Sequence, residues 1–141
     1  SGQDLAACTL VFPHHGGKPG TDFTTDFSNR LMDAVKPSTV LFSNGRGKHG
    51  NPRPEIIASV CSKSKTYVAC TQISENCHSQ NLKQDRGSFP FSAGSDEGRS
   101  CAGSVVINLE TGSPHMEQVS SHAKFVQQLE KPMCRILAPS T

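Results

Sequence analysis

The sequence predicts an α/β fold, because short apolar runs alternate with segments of helical spacing along its first half. Three apolar runs are expected to be buried strands, at residues 10–12, 40–42 and 67–70. The two segments between them have helical patterns, and strands joined by helices form parallel sheets. A Cys-rich region follows the third strand, so the chain is expected to change character near residue 72.

Composition limits the classes of protein to consider. The chain has 141 residues, the size of one domain, but only 34% of them are hydrophobic, so its core is expected to be thin. A net charge of +2 gives no electrostatic argument for a nucleic-acid partner. No apolar run approaches the roughly 20 residues that cross a bilayer. We therefore expect a cytoplasmic protein that does not enter a membrane.

Each predicted helix has recognisable ends. The first begins at Thr24 or Thr25, whose hydroxyls can cap a helix, and ends before Pro37. The second begins at Pro54, because proline is tolerated in the first turn of a helix. The residues expected to be buried are Phe27, Leu31, Met32 and Val35 in the first helix and Ile56, Ile57, Val60 and Cys61 in the second.

Two adjacent histidines, His14 and His15, directly follow the first predicted strand. Pro13 ends that strand because it has no N–H to donate, and Gly16 and Gly17 allow a tight turn after the histidines. Reactive groups of α/β proteins lie at such strand ends, and histidine there can bind a metal or transfer protons. An isolated histidine is more often structural, but this arrangement favours a catalytic or metal-binding role for both.

A Gly-rich loop between residues 43 and 54 carries the candidate substrate-binding side chains. Gly-rich backbone can form a nest for an anion, and interspersed basic side chains suit a phosphate. The Gly-Lys-Ser/Thr ending of a nucleotide-binding P-loop is absent. A solvated basic loop is an equally good interpretation. The candidate residues are Arg46, Lys48, His49, Asn51 and Arg53.

Four blocks of the first half resemble, in the same order, blocks of metallo-β-lactamase-fold hydrolases of the ComEC type. The first is similar to the family's Pro-His-His-Gly block, and the next to its helix ending in Val-Lys-Pro. The third resembles the strand and turn that follow in the family, and the fourth its Gly-His-Pro-His-Pro-Glu turn. The blocks are LVFPHHGG at residues 10–17, LMDAVKP at 31–37, VLFSNG at 40–45 and HGNPRPE at 49–55.

The resemblance implies that residues 1–72 are the C-terminal half of an αββα metallo-β-lactamase sandwich. In such hydrolases a His-x-His-x-Asp-His loop, a further His and an Asp precede these blocks. The resemblance therefore implies a missing N-terminal half, or another subunit, as partner, and this chain alone is expected to be inactive. The two histidines of the family's last turn are Asn51 and Arg53 here, so catalytic roles do not transfer to that turn.

The activity implied by the resemblance is metal-dependent hydrolysis of phosphate esters, by a phosphodiesterase or nuclease acting on nucleic acid or nucleotides. One of His14 and His15 would complete a dinuclear site for a divalent transition metal, zinc or manganese. Strand alternation carries Val11, Pro13 and His15 to one face, which favours His15 as the ligand. Another hypothesis, from a different class, is a catalytically inactive, zinc-stabilised binding or regulatory module.

The six cysteines fall into two groups. Cys8 and Cys61 lie in apolar contexts typical of buried thiols, whereas the other four have turn-like neighbours. Four thiolates suit a closed structural zinc site, in which His78 could replace one of them. Buried thiols and disulfides are the alternatives. The four candidate zinc ligands are Cys70, Cys77, Cys101 and Cys134.

Residues 73–141 are predicted to form the Cys-rich extension that this zinc would stabilise. Its polar segment 79–100 is expected to be a mobile loop. Residues 102–109 alternate like a strand and, with another strand at about 116–119, predict a hairpin. A final helix is expected from Ser120 or Ser121 through Leu129.

Overall fold

A computed structural model describes residues 4–20, 24–47, 49–63, 65–84 and 92–136. Within these ranges the chain has a mixed α/β fold with three α-helices and two small sheets. The strands are β1 (Thr9–Val11), β2 (Thr39–Phe42), β3 (Tyr67–Cys70), β4 (Ile107–Asn108) and β5 (Ser113–Pro114). The helices are α1 (Thr24–Val35), α2 (Pro54–Ser62) and α3 (Met116–Val126), and residues Pro13–Gly16 form a tight 3₁₀-like turn whose two histidines are not helical.

The main sheet is parallel in the order β1-β2-β3, as the alternation of strands and helices predicts. Leu10 is paired with Val40, and Val40 with Val68. The crossovers contain α1 and α2, which pack against each other. All three carboxyl ends therefore lie at one edge, where β1 leads into the two histidines.

Side chains alternate between two buried faces of this sheet. On one face Val40, Phe42 and Val68 are fully buried beneath α1 and α2. On the other, Tyr67 and Ala69 pack with residues of the C-terminal half, among them Ala102, Val105, Val119 and Ile136. β2 and β3 are thus covered on both sides, whereas Val11 of the outer strand β1 is 60% exposed.

The C-terminal half differs from the sequence-based prediction. The strand predicted over residues 102–109 is reduced to β4, and the strand predicted at 116–119 is wrong, because α3 already begins at Met116. The buried residues of α3 and the turn after it are three or four positions apart, which is the spacing of a helix face. These residues are Gln118, His122, Phe125, Val126 and Leu129.

The described parts of the polar segment 79–100 are anchored to the fold. The side-chain amide of Gln84 donates to the carbonyls of Ser100 and Cys101, both at 2.8 Å. The Gln72 amide donates to the Ala93 carbonyl at 2.8 Å. The central part of the predicted mobile loop, residues 85–91, lies outside the described ranges.

The sequence predicts no membrane-spanning segment. None of the helices in the described ranges has both the length and the apolar character that a membrane span requires.

Candidate functional site

A cleft of about 370 Å³ opens at the carboxyl ends of β1 and β2, and we call it the sheet-edge cleft. Ligands of open α/β sheets bind at this edge, because the strands fix the backbone while the loops remain accessible. The cleft brings together the histidine loop after β1 and the Gly-rich loop after β2. Its lining residues are His15, Ser43, Asn44, Gly45, His49 and Asn51.

The histidine loop has an unusual backbone. His14 and His15 have φ values of 52° and 55°, in the left-handed region that residues other than glycine rarely adopt. Both are exposed, and Nδ1 of His15 contacts the backbone carbonyl oxygen of Ser43. A carbonyl only accepts, so Nδ1 carries the proton. Nε2 of neutral His15 is then the nitrogen with a lone pair for a metal or a proton.

Gly16 allows the two loops to approach each other closely. Its φ is +75°, and a Cβ added there would lie 2.5 Å from Cβ of Pro52 and 2.7 Å from the Phe42 ring. Its carbonyl accepts the N–H of Arg53 at 2.9 Å. The Gly-rich loop is therefore fixed against the histidine loop by contacts that only glycine permits.

Asn44 holds the floor of the cleft, and the sequence analysis did not identify it. Its side chain is only 6% exposed. Its amide donates to the carbonyls of Gln72 at 3.1 Å and Asn51 at 3.3 Å, and its oxygen accepts the Gln72 N–H at 3.1 Å. The sequence feature that could have identified Asn44 is its position directly after β2, between Ser43 and Gly45. An asparagine in such a turn can hydrogen-bond to backbone groups.

The basic residues predicted to bind substrate are dispersed. Arg46 is held by the segment after β3, because its guanidinium donates to Asn81 and to the carbonyls of Ile73 and His78 at 2.8–3.2 Å. Arg53 forms an ion pair with Glu55 at 3.6 Å.

Lys48 lies outside the described residues. Of the five predicted substrate-binding residues, the structure therefore places His49 and Asn51 beside His15 in the cleft.

Another site, which we call the cysteine cluster, has two buried residues and one partly exposed residue, Cys134. It consists of Cys101, His122 and Cys134, whose potential ligand atoms all lie within 4.8 Å of one another. Cys101 and His122 are each 2% exposed, and Sγ of Cys101 lies 3.2 Å from Nε2 of His122. Thiolate and imidazole are the donors that zinc prefers. The cysteine cluster could therefore hold a metal ion.

Two further cysteines surround the cluster. The buried Cys70 thiol hydrogen-bonds with Cys134, and the Cys77 sulfur accepts from the backbone N–H groups of Met133 and Ser74. All six cysteines of the chain fall within the described ranges, and none forms a disulfide.

The thiols of the cluster have strongly altered acidity. Hydrogen bonds with the Cys101 and Cys70 thiols hold the pKa of Cys134 well below its usual range, despite burial. The same hydrogen bonds with Cys134, together with burial, raise the pKa of both partners. Burial raises the pKa of Cys77 to about 11. Among these thiols, Cys134 is therefore the one whose pKa favours the thiolate that zinc binds.

The histidine of the cluster is His122, and not His78 as the sequence suggests. Nδ1 of His78 accepts the backbone N–H of Glu130 at 3.1 Å and lies 3.7 Å from its carboxylate. His122 lies on the buried face of α3, and its Nδ1 is 2.7 Å from the hydroxyl of Tyr67. Burial raises the pKa of Tyr67, so its hydroxyl remains protonated. The sequence feature that could have identified His122 as a buried residue is its position on the apolar face of a helix, next to Phe125.

Comparison of the chain with protein-family models, with curated proteins and with solved structures finds no match. The chemistry of the two sites therefore follows from their own residues alone. The sheet-edge cleft offers an exposed imidazole beside polar side chains, and the cysteine cluster offers buried sulfur and nitrogen donors.

Proposed function

We propose that this chain is part of a metal-dependent hydrolase of the metallo-β-lactamase fold that cleaves phosphodiesters, as a phosphodiesterase or nuclease. In this proposal residues 1–72 form the C-terminal half of the αββα sandwich. The observation that carries it is the contact between Nδ1 of His15 and the Ser43 carbonyl. This contact fixes the tautomer in which Nε2 can bind a metal at the mouth of the cleft.

The position of the cleft also supports a reaction site. His15 follows β1, while Ser43 and Asn44 follow β2, so one edge of a parallel sheet supplies both loops. In the described residues β1 pairs with a strand on one side only, and its Val11 is exposed. We propose that the partner, an N-terminal half or another subunit, packs beside β1 and brings the remaining metal ligands.

The residues of the cleft have separate roles in this proposal. When bound, zinc or manganese ions supply a hydroxide nucleophile and stabilise charge on the phosphoryl group. His15 holds one metal ion, and His49 and Asn51 donate hydrogen bonds to the phosphate oxygens. Asn44 fixes the backbone of Asn51 through its 3.3 Å hydrogen bond. The proposed substrates are nucleic acid and nucleotides, and the proposed location of the protein is the cytoplasm.

Metal-dependent hydrolysis of bis-p-nitrophenyl phosphate tests the proposal. The assay uses this chain together with the polypeptide that carries the His-x-His-x-Asp-His loop. We expect activity that requires added zinc or manganese and is absent from this chain alone. His15→Ala should lose both bound metal and turnover, whereas His14→Ala should keep the metal and lower turnover only. Full metal content and full activity in both variants would contradict the proposal.

The buried donors of the cysteine cluster favour another candidate function, a catalytically inactive binding or regulatory module stabilised by zinc. A structural zinc ion in this cluster is compatible with both candidates. The same assay separates them. A protein that binds zinc at the cysteine cluster, but hydrolyses no phosphodiester with its partner polypeptide present, would be the module.

A further inference from the structure

We propose that Cys70 completes a closed tetrahedral zinc site with Cys101, His122 and Cys134, and that Tyr67 orients the histidine. The ligand set contains three sulfurs and one nitrogen, which suits zinc. This proposal names the ligands of the structural zinc ion in the proposed function and so depends on that function. The experiment that tests it measures only metal content and folding. Its failure is therefore distinguishable from a failure of the hydrolase proposal.

The geometry of the three central residues is close to that of a zinc site. Bonds of about 2.3 Å to sulfur and about 2.0–2.1 Å to nitrogen place tetrahedral ligand atoms roughly 3.5–4 Å apart. In the cysteine cluster the Cys101 sulfur lies 3.2 Å from Nε2 of His122, and all three ligand atoms lie within 4.8 Å. Side-chain adjustments of about 1 Å or less bring these atoms to the spacing that zinc requires.

Cys70 is the best fourth ligand because its thiol hydrogen-bonds with Cys134. Its sulfur is more than 4.8 Å from at least one of the other three ligand atoms, so it has to move towards Cys101 or His122 to reach the metal. Cys70 is the last residue of β3 and is 1% exposed. Its carbonyl accepts the N–H of Ala102 at 2.9 Å, so the backbone beside Cys101 is fixed to the same strand. The sulfur of Cys77 is instead bound by the N–H groups of Met133 and Ser74.

Tyr67 acts as a positioning residue. With Nε2 of His122 on the metal, Nδ1 carries the proton and donates to the Tyr67 hydroxyl oxygen, 2.7 Å away. Metal-binding histidines usually donate their other ring N–H in this way, which fixes both the tautomer and the ring. β3 therefore supplies a ligand and the group that orients another ligand.

The zinc ion would join four segments that also pack against one another through apolar side chains. They are β3, the turn at Cys101, α3 and the C-terminal segment of Cys134. That last segment is paired with β3 through two hydrogen bonds between Val68 and Arg135, at 2.9 and 3.1 Å. A site with four protein ligands is structural, because no position is open to a substrate.

Zinc content and cobalt substitution of the purified 141-residue chain test this proposal. We expect about one zinc per chain, as a single tetrahedral site requires. The cobalt form should have a tetrahedral spectrum, with a sulfur-to-cobalt charge-transfer band whose intensity corresponds to three thiolates. Competition with a chromophoric chelator then gives the affinity of each variant.

Cys70→Ser and Cys77→Ser form the matched pair, because both remove a thiol that is at most 3% exposed. We expect Cys70→Ser and His122→Ala to lower zinc affinity by about 100-fold or more, while Cys77→Ser leaves it within about threefold. Tyr67→Phe keeps the ring but removes the hydrogen-bond partner of Nδ1, and losses of about 10–100-fold are typical of such partners.

Four results would overturn the proposal, and the last of them needs no variant. One is a chain without zinc that binds no cobalt. Another is loss of metal in Cys77→Ser with retention in Cys70→Ser, which would assign the fourth ligand to Cys77. The third is a Cys70–Cys134 disulfide in the purified chain, detected by mass spectrometry. If Cys70→Ser does not fold, the cobalt spectrum of the unaltered chain still decides, because a band for two thiolates would exclude Cys70.

Discussion

The sheet-edge cleft and the cysteine cluster place similar donors in opposite environments. In the cleft, His15 is exposed, lies on a left-handed backbone and meets one carbonyl. In the cluster, Cys101 and His122 are 2% exposed. Catalytic metal sites keep a position open to substrate, whereas structural ones are closed by protein ligands. In the proposals above, the cleft accordingly takes a ligand from outside and the cluster holds segments of the chain together.

Metal removal should give the largest effect and tests the structural half of this comparison. Structural zinc in small domains contributes about 10–16 kcal/mol of binding free energy, which is lost when a chelator removes it. We expect the backbone amides of residues 100–136 to lose protection against hydrogen exchange, because in the zinc proposal the metal holds α3 and the segment of Cys134 in place. The strands β1 and β2 should retain more protection. Unchanged exchange after complete removal of zinc would contradict a structural role.

Gly16→Ala should give the next largest effect and tests how the cleft is built. The new Cβ would lie 2.5 Å from Cβ of Pro52, and overpacking of this kind costs about 1–3 kcal/mol in addition to backbone strain. Gly50→Ala is the matched control, because Gly50 also has a positive φ but no atom within 4 Å of its added Cβ. Urea unfolding of both variants measures the difference. Equal destabilisation would mean that backbone strain, not close approach of the loops, requires glycine at position 16.

Asn44→Ala should destabilise the floor of the cleft by about 1–3 kcal/mol, because partly buried backbone groups of Gln72 and Asn51 would lose their partners. Asn76→Ala is its control. Asn76 is exposed and donates to the carbonyl of Gly50 at 3.2 Å, so its loss should cost about 0.5 kcal/mol or less. Thermal unfolding compares the two, and similar losses would show that Asn44 is not the main support of the cleft.

The first half of the fold could be predicted because its signals are local. The third predicted strand, 67–70, coincides with β3, and the helix predicted to begin at Pro54 does so. The segment at 116–119 was misassigned because four residues with apolar ends fit a strand as well as one turn of a helix. Burial of Gln118 and His122, which decides between them, depends on packing against the sheet.

The sites show the same limit. His14 and His15 could be located at the end of β1, because the strand and its proline are adjacent in sequence. Cys101 and Cys134 were predicted as metal ligands, but His122 was not. Its approach to Tyr67 joins residues 55 positions apart and depends on how α3 packs on β3. Local patterns carry no information about such a contact.

Glu130→Gln should have the smallest effect on stability. It tests whether surface contacts, and not the metal, hold the region around the cysteine cluster together. The hydroxyl of Ser79 donates to the Glu130 carboxylate at 2.5 Å and holds the pKa of this group below its usual value. Because the folded-state pKa is the lower one, the stabilisation is present above the unfolded pKa of about 4.3 and is lost as pH falls through the folded value. The carboxylate is exposed, so solvent screening keeps the contribution small.

The measurement is the free energy of unfolding of the zinc-loaded chain at pH 7, compared with Glu110→Gln, which removes another exposed carboxylate. A pH of 7 is used because cysteine and histidine ligands take up protons and release zinc in acid. Glu130→Gln should lower stability slightly, and by more than Glu110→Gln does. The backbone near the cluster should stay in place, since the N–H of Lys131 still donates to the Cys77 carbonyl at 2.8 Å. If Glu130→Gln lowered stability as much as zinc removal does, surface contacts and not the buried donors would hold this region together. The contrast between the two sites would then be wrong.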